Sequence, residues 1–147
     1  MQKLNLPEYS LNIRTTSTGV NEVLDPLRRK WLVLTPEERV RQLFIKHLTM
    51  GLGYAEGLIV EEYSFSFANG KPQRADILIF NKQGDPYLLV ECKAPSVKIT
   101  ENTFRQISRY NAVIKARYIV VTNGLDHYSL TTDDFIHYTH QKSIPTP

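Results

Sequence analysis

The segment Asp85–Pro95, DPYLLVECKAP, opens on a turn signal, runs through a short apolar strand and stops at a proline. Side chains alternate across a strand, so Leu88, Val90 and Cys92 fall on one face and Leu89, Glu91 and Lys93 on the other. A carboxylate and an ammonium thus stand side by side at the end of a strand that otherwise reads as core. Just upstream, Arg74–Phe80 (RADILIF) reads as a second strand, with Asp76, Leu78 and Phe80 on one face. The NKQGDP turn at 81–86 makes the two an antiparallel pair, which sets the start of one strand beside the end of the other. Asp76 then comes level with Glu91, and the spacing Asp76–x14–Glu91–x–Lys93 gathers two carboxylates and one ammonium.

Two carboxylates in a partly dry site repel each other and favour a hard dication. Magnesium takes oxygen ligands and often binds through one or two carboxylates plus substrate phosphate. A bound dication activates water, and a neighbouring lysine offsets negative charge in the transition state. The cluster is therefore suited to phosphodiester hydrolysis. Taken singly, Glu91 and Lys93 read more readily as an exposed strand-end pair, and Asp76 as a turn-side carboxylate. The three together, beside DILIF and YLLV, favour the chemical reading.

Working outward, Thr35-Pro36-Glu37-Glu38 carries helix-start signals: an N-cap threonine, a proline at the first position and a glutamate three residues after the cap. Val40, Phe44 and Leu48 follow at helical spacing, with Leu43 beside them, and Gly51 and Gly53 end the helix. Glu37 lies on that stripe and is expected to face inward, whereas Glu38 has a local capping role. Leu58–Phe67 reads as a strand, with Tyr63, Phe65 and Phe67 on one face. Thr100–Lys115 reads as a second helix whose buried side includes Phe104, Ile107, Ala112 and Ile114. Arg117–Thr122 is apolar on both faces and is expected to be a central strand. The aromatic tail, Tyr128 to Tyr138, is expected at the sheet edge. In residues 1–34, Ser10–Thr16 suggests a strand, and Val23–Trp31 a short helix or extended arm carrying Arg28, Arg29 and Lys30.

The order helix, three strands, helix, strand predicts an α/β domain with a mixed central sheet of at least four strands flanked by helices. At 147 residues, 41% hydrophobic and 22% charged, the chain fits one domain. A single cysteine, Cys92, excludes an internal disulfide and a cysteine-built zinc site, and suggests a reducing compartment. No apolar run approaches the roughly 20 residues that span a bilayer. MQKLNLPEYS lacks the apolar core of a signal peptide, so a cytoplasmic location with no membrane partner is expected. A net charge of +3 permits nucleic-acid binding without demanding it.

The run Thr35–Gly124 resembles the amino-terminal nuclease domain of type I restriction enzyme R proteins, within the PD-(D/E)xK nuclease superfamily. The pieces are TPEERVRQ (35–42), GLGY (51–54), RADILIF (74–80), LLVECKAP (88–95), QISRY (106–110) and YIVVTNG (118–124). The resemblance implies a restriction-endonuclease-like core over 35–147, with 1–34 as an extension packed on it. It also implies DNA cleavage that depends on magnesium, with manganese as a substitute. Asp76, Glu91 and the backbone carbonyl of Cys92 would be metal ligands, and Lys93 the catalytic lysine. Glu37, rather than Glu38, would be the acidic residue of the first helix. Gln106 and Tyr110 match a QxxxY motif close to the metal site in related nucleases. Ala75 stands where the superfamily name has proline.

The chain departs from full-length R proteins in having no GxxxxGK[ST] phosphate loop. It thus reads as a stand-alone relative or a fragment, with helicase or restriction-modification subunits supplied separately. A homodimer is also admitted. The alternative is a catalytically silent module of the same fold that binds DNA or protein. Arg28, Arg29, Lys30, Lys71 and Arg74 are then the candidates for DNA contact, with Tyr110 beside them.

Overall fold

The computed structural model describes residues 1–147. Strands β1 (Ile13–Thr15), β2 (Asn21–Asp25) and β3 (Lys30–Val33) form a small antiparallel sheet. Helix α1 (Pro36–Lys46) follows, then a π-helical turn at His47–Gly51 and a short 3-10 turn at Glu56–Leu58. Strands β4 (Ile59–Ser66), β5 (Pro72–Phe80) and β6 (Pro86–Cys92) make a meander. Helix α2 (Glu101–Ile114) crosses over to β7 (Tyr118–Thr122), and β8 (His127–Thr131) and β9 (Thr139–Gln141) complete a six-stranded sheet in sequence order. Only β6 and β7 run parallel; their connection is the long one, as parallel neighbours require. No helix is long and apolar enough to cross a membrane.

Helix α1 starts where its residues predict: Thr35 Oγ1 accepts the Glu38 N–H at 3.0 Å and Pro36 opens the first turn. Helix α2 ends at Lys115 in the left-handed conformation. Behind it, buried Asn111 closes the turn into β7, accepting the Ala116 N–H (2.8 Å) and donating to the Ala116 carbonyl (2.9 Å). The inner side of α2 consists of Ile107, Tyr110, Asn111 and Ile114; Ala112, expected there, is exposed.

The sheet lies between two cores. On one face Val40, Leu43, Phe44 and Leu48 of α1 and its π turn meet Ile77, Ile79, Leu88, Val90, Cys92 and Val120. On the other, Ile107, Tyr110 and Ile114 of α2 meet Ala75, Leu78, Leu89, Ile119, Val121 and Leu130. Each fully buried aliphatic side chain contributes about 1.5–3 kcal/mol, so the two-sided burial of β6 and β7 dominates the fold. One irregularity matters. The β4–β5 ladder pairs every position from Ile59/Ile79 to Ser66/Pro72 except Glu62/Asp76. There the alternation loses a step: Ile77 and Ile79 face α1, but Ala75 packs with the α2 core, as do Tyr63 and Phe65.

Residues 23–31 form neither a helix nor an extended arm. They are the β2–β3 hairpin, turned by Arg29 at φ 53°. The segment before it runs along the core. Leu4 is buried in the α1-side cluster, the Asn5 N–H donates to the Gly124 carbonyl (2.8 Å), and His127 Nε2 donates to the Asn5 carbonyl (2.7 Å). The hairpin docks through charge as well. Buried Asp25 accepts from the Leu27 and Arg28 N–H groups (3.0 and 3.1 Å) and from Arg28 Nε (2.8 Å). Arg28 Nε also lies 3.3 Å from Glu61 on β4. Burial raises the pKa of Asp25, but the neighbouring Glu61 and the hydrogen bonds from Arg28 outweigh it and hold the carboxyl at about 2. Burial and the neighbouring Asp25 push the Glu61 carboxyl up to about 8, and both its oxygens are buried without a hydrogen bond.

Two outcomes follow from this packing. Gly124 has φ 86°, and an added Cβ would stand 3.0 and 3.1 Å from the Leu4 methyls and 3.1 Å from Val40 Cγ2. Gly124→Ala should therefore cost at least roughly 1–2 kcal/mol in urea unfolding, from the left-handed backbone alone. Glu61 has a folded pKa above its ordinary 4.5, so its contribution to stability is complete below that pH and is lost as pH rises through about 8. Asp25 works in the opposite sense, losing its contribution only as pH falls below 3.8 towards 2. Arg28, Arg41 and Gln42 face the pair. Glu61→Gln should flatten the decline in unfolding free energy between pH 5 and 8 that the parent shows.

Candidate metal centre

The site forms where two strands part. The β5–β6 ladder holds from Phe80/Pro86 to Ile77/Val90 and stops. Beyond it the backbones no longer bond each other; each bonds a carboxylate of the opposite strand. The Cys92 N–H donates to Asp76 Oδ2 (2.7 Å), and the Asp76 N–H donates to Glu91 Oε1 (3.2 Å). Charge-assisted bonds of this kind satisfy amides that would otherwise be orphaned. On its other edge β6 stays in register with β7, Cys92 pairing with Thr122 and the Lys93 N–H reaching the Thr122 carbonyl at 2.8 Å. The fork is therefore one-sided: β6 is held fast and β5 splays away.

Asp76 is half-buried and Glu91 buried. Burial pushes both carboxyls above the ordinary range. For Glu91 the neighbouring Asp76 adds to the rise, while the Asp76 N–H and Lys93 oppose it. For Asp76 the Cys92 N–H and Arg41 oppose it, and Glu37 and Glu62 add to it. Negative charge gathers on the pair, Asp76 acting on Glu91 and Glu37 and Glu62 acting on Asp76, as at a cation site. The donors are oxygens: two carboxylates, with the Cys92 main chain one hydrogen bond from Asp76. No three His, Cys, Asp or Glu side chains converge as a closed cage would require. That set fits a hard cation retaining several waters better than zinc. The Cys92 thiol is buried in the α1-side core, and burial pushes its pKa well up, so it is an apolar filler and not a nucleophile.

The other expected residues divide. Lys93 is half-buried and close enough to act on Glu91. Glu37 acts on both carboxylates, yet it is exposed, whereas Glu38 is buried; the expectation that Glu37 faces inward is corrected. Glu38 does not close a capping box with its side chain. Its carboxylate binds the Arg41 guanidinium and accepts from Gln42 Nε2 at 3.0 Å. The reason is that α1 is covered on a second side by the β2–β3 hairpin and β4, which buries a polar stripe that the sequence leaves to solvent. Gln106 is exposed. Its Nε2 donates to the Tyr110 hydroxyl, which donates to Gln73 Oε1 on β5, both at 3.2 Å. Tyr110 itself is core, packed edge-on against Phe65 with ring centres 5.1 Å apart. No hydrogen bond joins this string to Asp76, Glu91 or Lys93.

Of the basic residues, Arg28 is turned inward onto Asp25. Arg29 and Lys30 are exposed on the β2–β3 hairpin, and Lys71 and Arg74 on the β4–β5 hairpin. Sequence reading missed Arg41 and Glu62, whose side chains pair beside Asp76. The consecutive carboxylates of Glu61-Glu62, breaking an otherwise apolar strand pattern, were the available signal.

Three comparisons bear on this arrangement. Residues 36–145 match the family model of the type I restriction enzyme R protein N terminus (HSDR_N). A solved fragment, provisionally assigned as an HsdR subunit of a type I restriction enzyme from Vibrio vulnificus YJ016, shares the fold with a TM-score of 0.54 and 22% identity. That match covers 77% of this chain and 24% of the fragment, so the chain spans about a quarter of its length. No curated protein matches. With a family model covering most of the chain, and a six-stranded mixed sheet between helices like that of the fragment, this chain belongs to the family of type I restriction enzyme R protein N-termini.

Proposed function

We propose that the chain is a magnesium-dependent DNA nuclease of the PD-(D/E)xK type. The observation that carries this reading is the reciprocal bonding of Asp76 and Glu91 into each other's strand, which fixes two mutually repelling carboxylates beside Lys93. Asp76, Glu91 and the Cys92 carbonyl would hold the magnesium, and manganese would occupy the same oxygens. When bound, the cation supplies positive charge to the scissile phosphate and makes water a stronger acid. Lys93 offsets charge developing on the phosphate and orients the attacking water. Glu37, in solvent at the first turn of α1, adds negative potential that draws a cation in. Gln106, on the surface of α2 with its amide held to Tyr110, would contact the substrate.

DNA would approach across the exposed Arg29, Lys30, Lys71 and Arg74. The motor and site-recognition subunits of a restriction-modification system would be separate partners, a homodimer would serve to cut both strands, and the compartment would be the cytoplasm. A catalytically silent DNA-binding or protein-interaction module on the same scaffold is the alternative, because a fold alone does not fix an activity.

Calorimetric titration of magnesium and then manganese separates the two. Binding should be present in the parent and absent in Asp76→Ala and Glu91→Ala, with all three folded. Cleavage of linear and supercoiled DNA should vanish in Asp76→Ala, and Lys93→Ala should cut roughly a hundredfold more slowly while still binding the cation. A parent that binds no cation, even with a DNA oligonucleotide present, would establish the silent module. DNA affinity, in either case, should fall steeply with salt and fall further in Lys71→Ala/Arg74→Ala.

A further inference from the structure

Asp76 owes its place to an interrupted ladder, and the interruption has a visible cause. In a regular β4–β5 pair, Glu62 and Asp76 would stand opposite each other like their neighbours on both sides. Instead Glu62 takes a left-handed backbone, φ 53°. Only a few per cent of residues other than glycine do so, and such residues persist where their surroundings hold them. What holds Glu62 is Arg41. This α1 residue is 9% exposed, and its guanidinium is forked between two partners. Nε (3.0 Å) and Nη2 bind Glu38, and Nη1 binds Glu62. Glu38 is fixed in turn by Gln42, which is 1% exposed. Arg74, largely in solvent, lies 3.7 Å from Glu62 and adds little.

The Asp76 amide, missing from the β4 ladder, donates to Glu91, and the Asp76 carboxylate takes the Cys92 amide. We infer that Arg41 is a positioning residue. By anchoring Glu62 in the left-handed conformation, it keeps the β4–β5 ladder open and so turns Asp76 towards Glu91 and Cys92. The inference rests on the metal-site reading for its purpose but not for its test. Freed from Arg41, Glu62 would relax towards an extended backbone. The Glu62/Asp76 pair would then close, and the Asp76 amide would leave Glu91. The arrangement accounts for a buried arginine on a helix face that apolar residues would otherwise fill.

Amide hydrogen exchange on the metal-free protein tests this. In Arg41→Met, exchange at the Cys92 amide, which loses Asp76 Oδ2, should be faster by at least about tenfold, with Ile79 and Leu89 unchanged. Arg41→Lys should rescue poorly, since one ammonium does not reproduce a fork between two carboxylates. Glu62→Gly placed on Arg41→Met should restore part of the protection, because glycine takes a positive φ without an anchor. Glu62→Ala repeats the local effect by the other partner, should Arg41→Met fail to fold. Unchanged protection at Cys92 in a folded Arg41→Met or Glu62→Ala overturns the inference. So does a uniform acceleration across β5 and β6 without rescue by Glu62→Gly, which would make Arg41 merely structural. Manganese titration of the same variants is read separately: loss of affinity in Arg41→Met extends the inference to the metal site. A parent without manganese affinity overturns the metal reading and leaves the exchange result to decide the role of Arg41.

Discussion

Strand β6 is bonded on both edges and buried on both faces as far as Val90, and that confinement governs the rest. Leu88 and Val90 close the core under α1, Leu89 closes the core over α2, and β7 fixes the strand from the far side through Cys92. A strand so confined cannot slip by one residue, since a slip would exchange every buried side chain with its neighbour. Glu91 and Lys93 therefore arrive at one defined place. The adjustable partner is β5, which parts from β6 at Ile77 and presents Asp76 across the gap.

The polar parts of the molecule are arranged around that gap in a continuous order. Asp25 and Arg28 of the hairpin meet Glu61; Gln42 hydrogen-bonds to Glu38; Glu38 and Glu62 share Arg41; and Arg41 and Glu62 both bear electrostatically on Asp76. Buried charge of this density is expensive unless each group is paired. Here Asp25, Glu38 and Arg41 are paired, whereas both Glu61 oxygens and Arg28 Nη2 are buried without a hydrogen bond. The first thirty-odd residues are thus not a loose preface to the core. They bring Asp25 and Arg28 against Glu61 of β4.

Much of this was legible in the sequence. The meander from β4 to β6, the central position of β7 and the meeting of Asp76 with Glu91 follow from period-two alternation and short turns, which are local signals. The cap of α1 was legible for the same reason. The burial of Glu38 and exposure of Glu37 were not. Helical spacing identifies the apolar stripe, and a second, polar contact surface leaves no trace in hydrophobicity. The β2–β3 hairpin was obscured because its turn, Pro26 to Arg29, places no glycine at the positive-φ position and instead uses Arg29. The Glu62/Asp76 break was hidden too, since a left-handed glutamate is chosen by tertiary contacts rather than by propensity.

The sequence-order sheet carries a consequence for folding. Asp76, Glu91, Cys92 and Lys93 all belong to one hairpin, so their registry is a local event that needs no distant part of the chain. The other edge of β6 is different: it waits for β7, which comes only after the whole of α2 has been made. During that interval Tyr87–Cys92 is an unpaired, strongly apolar edge of the sort that recruits other nascent chains. Glu91 and Lys93 are the only charges in the run from Tyr87 to Lys93. The two residues proposed for chemistry thus also supply the only charge on that edge, a feature of the kind that discourages such pairing.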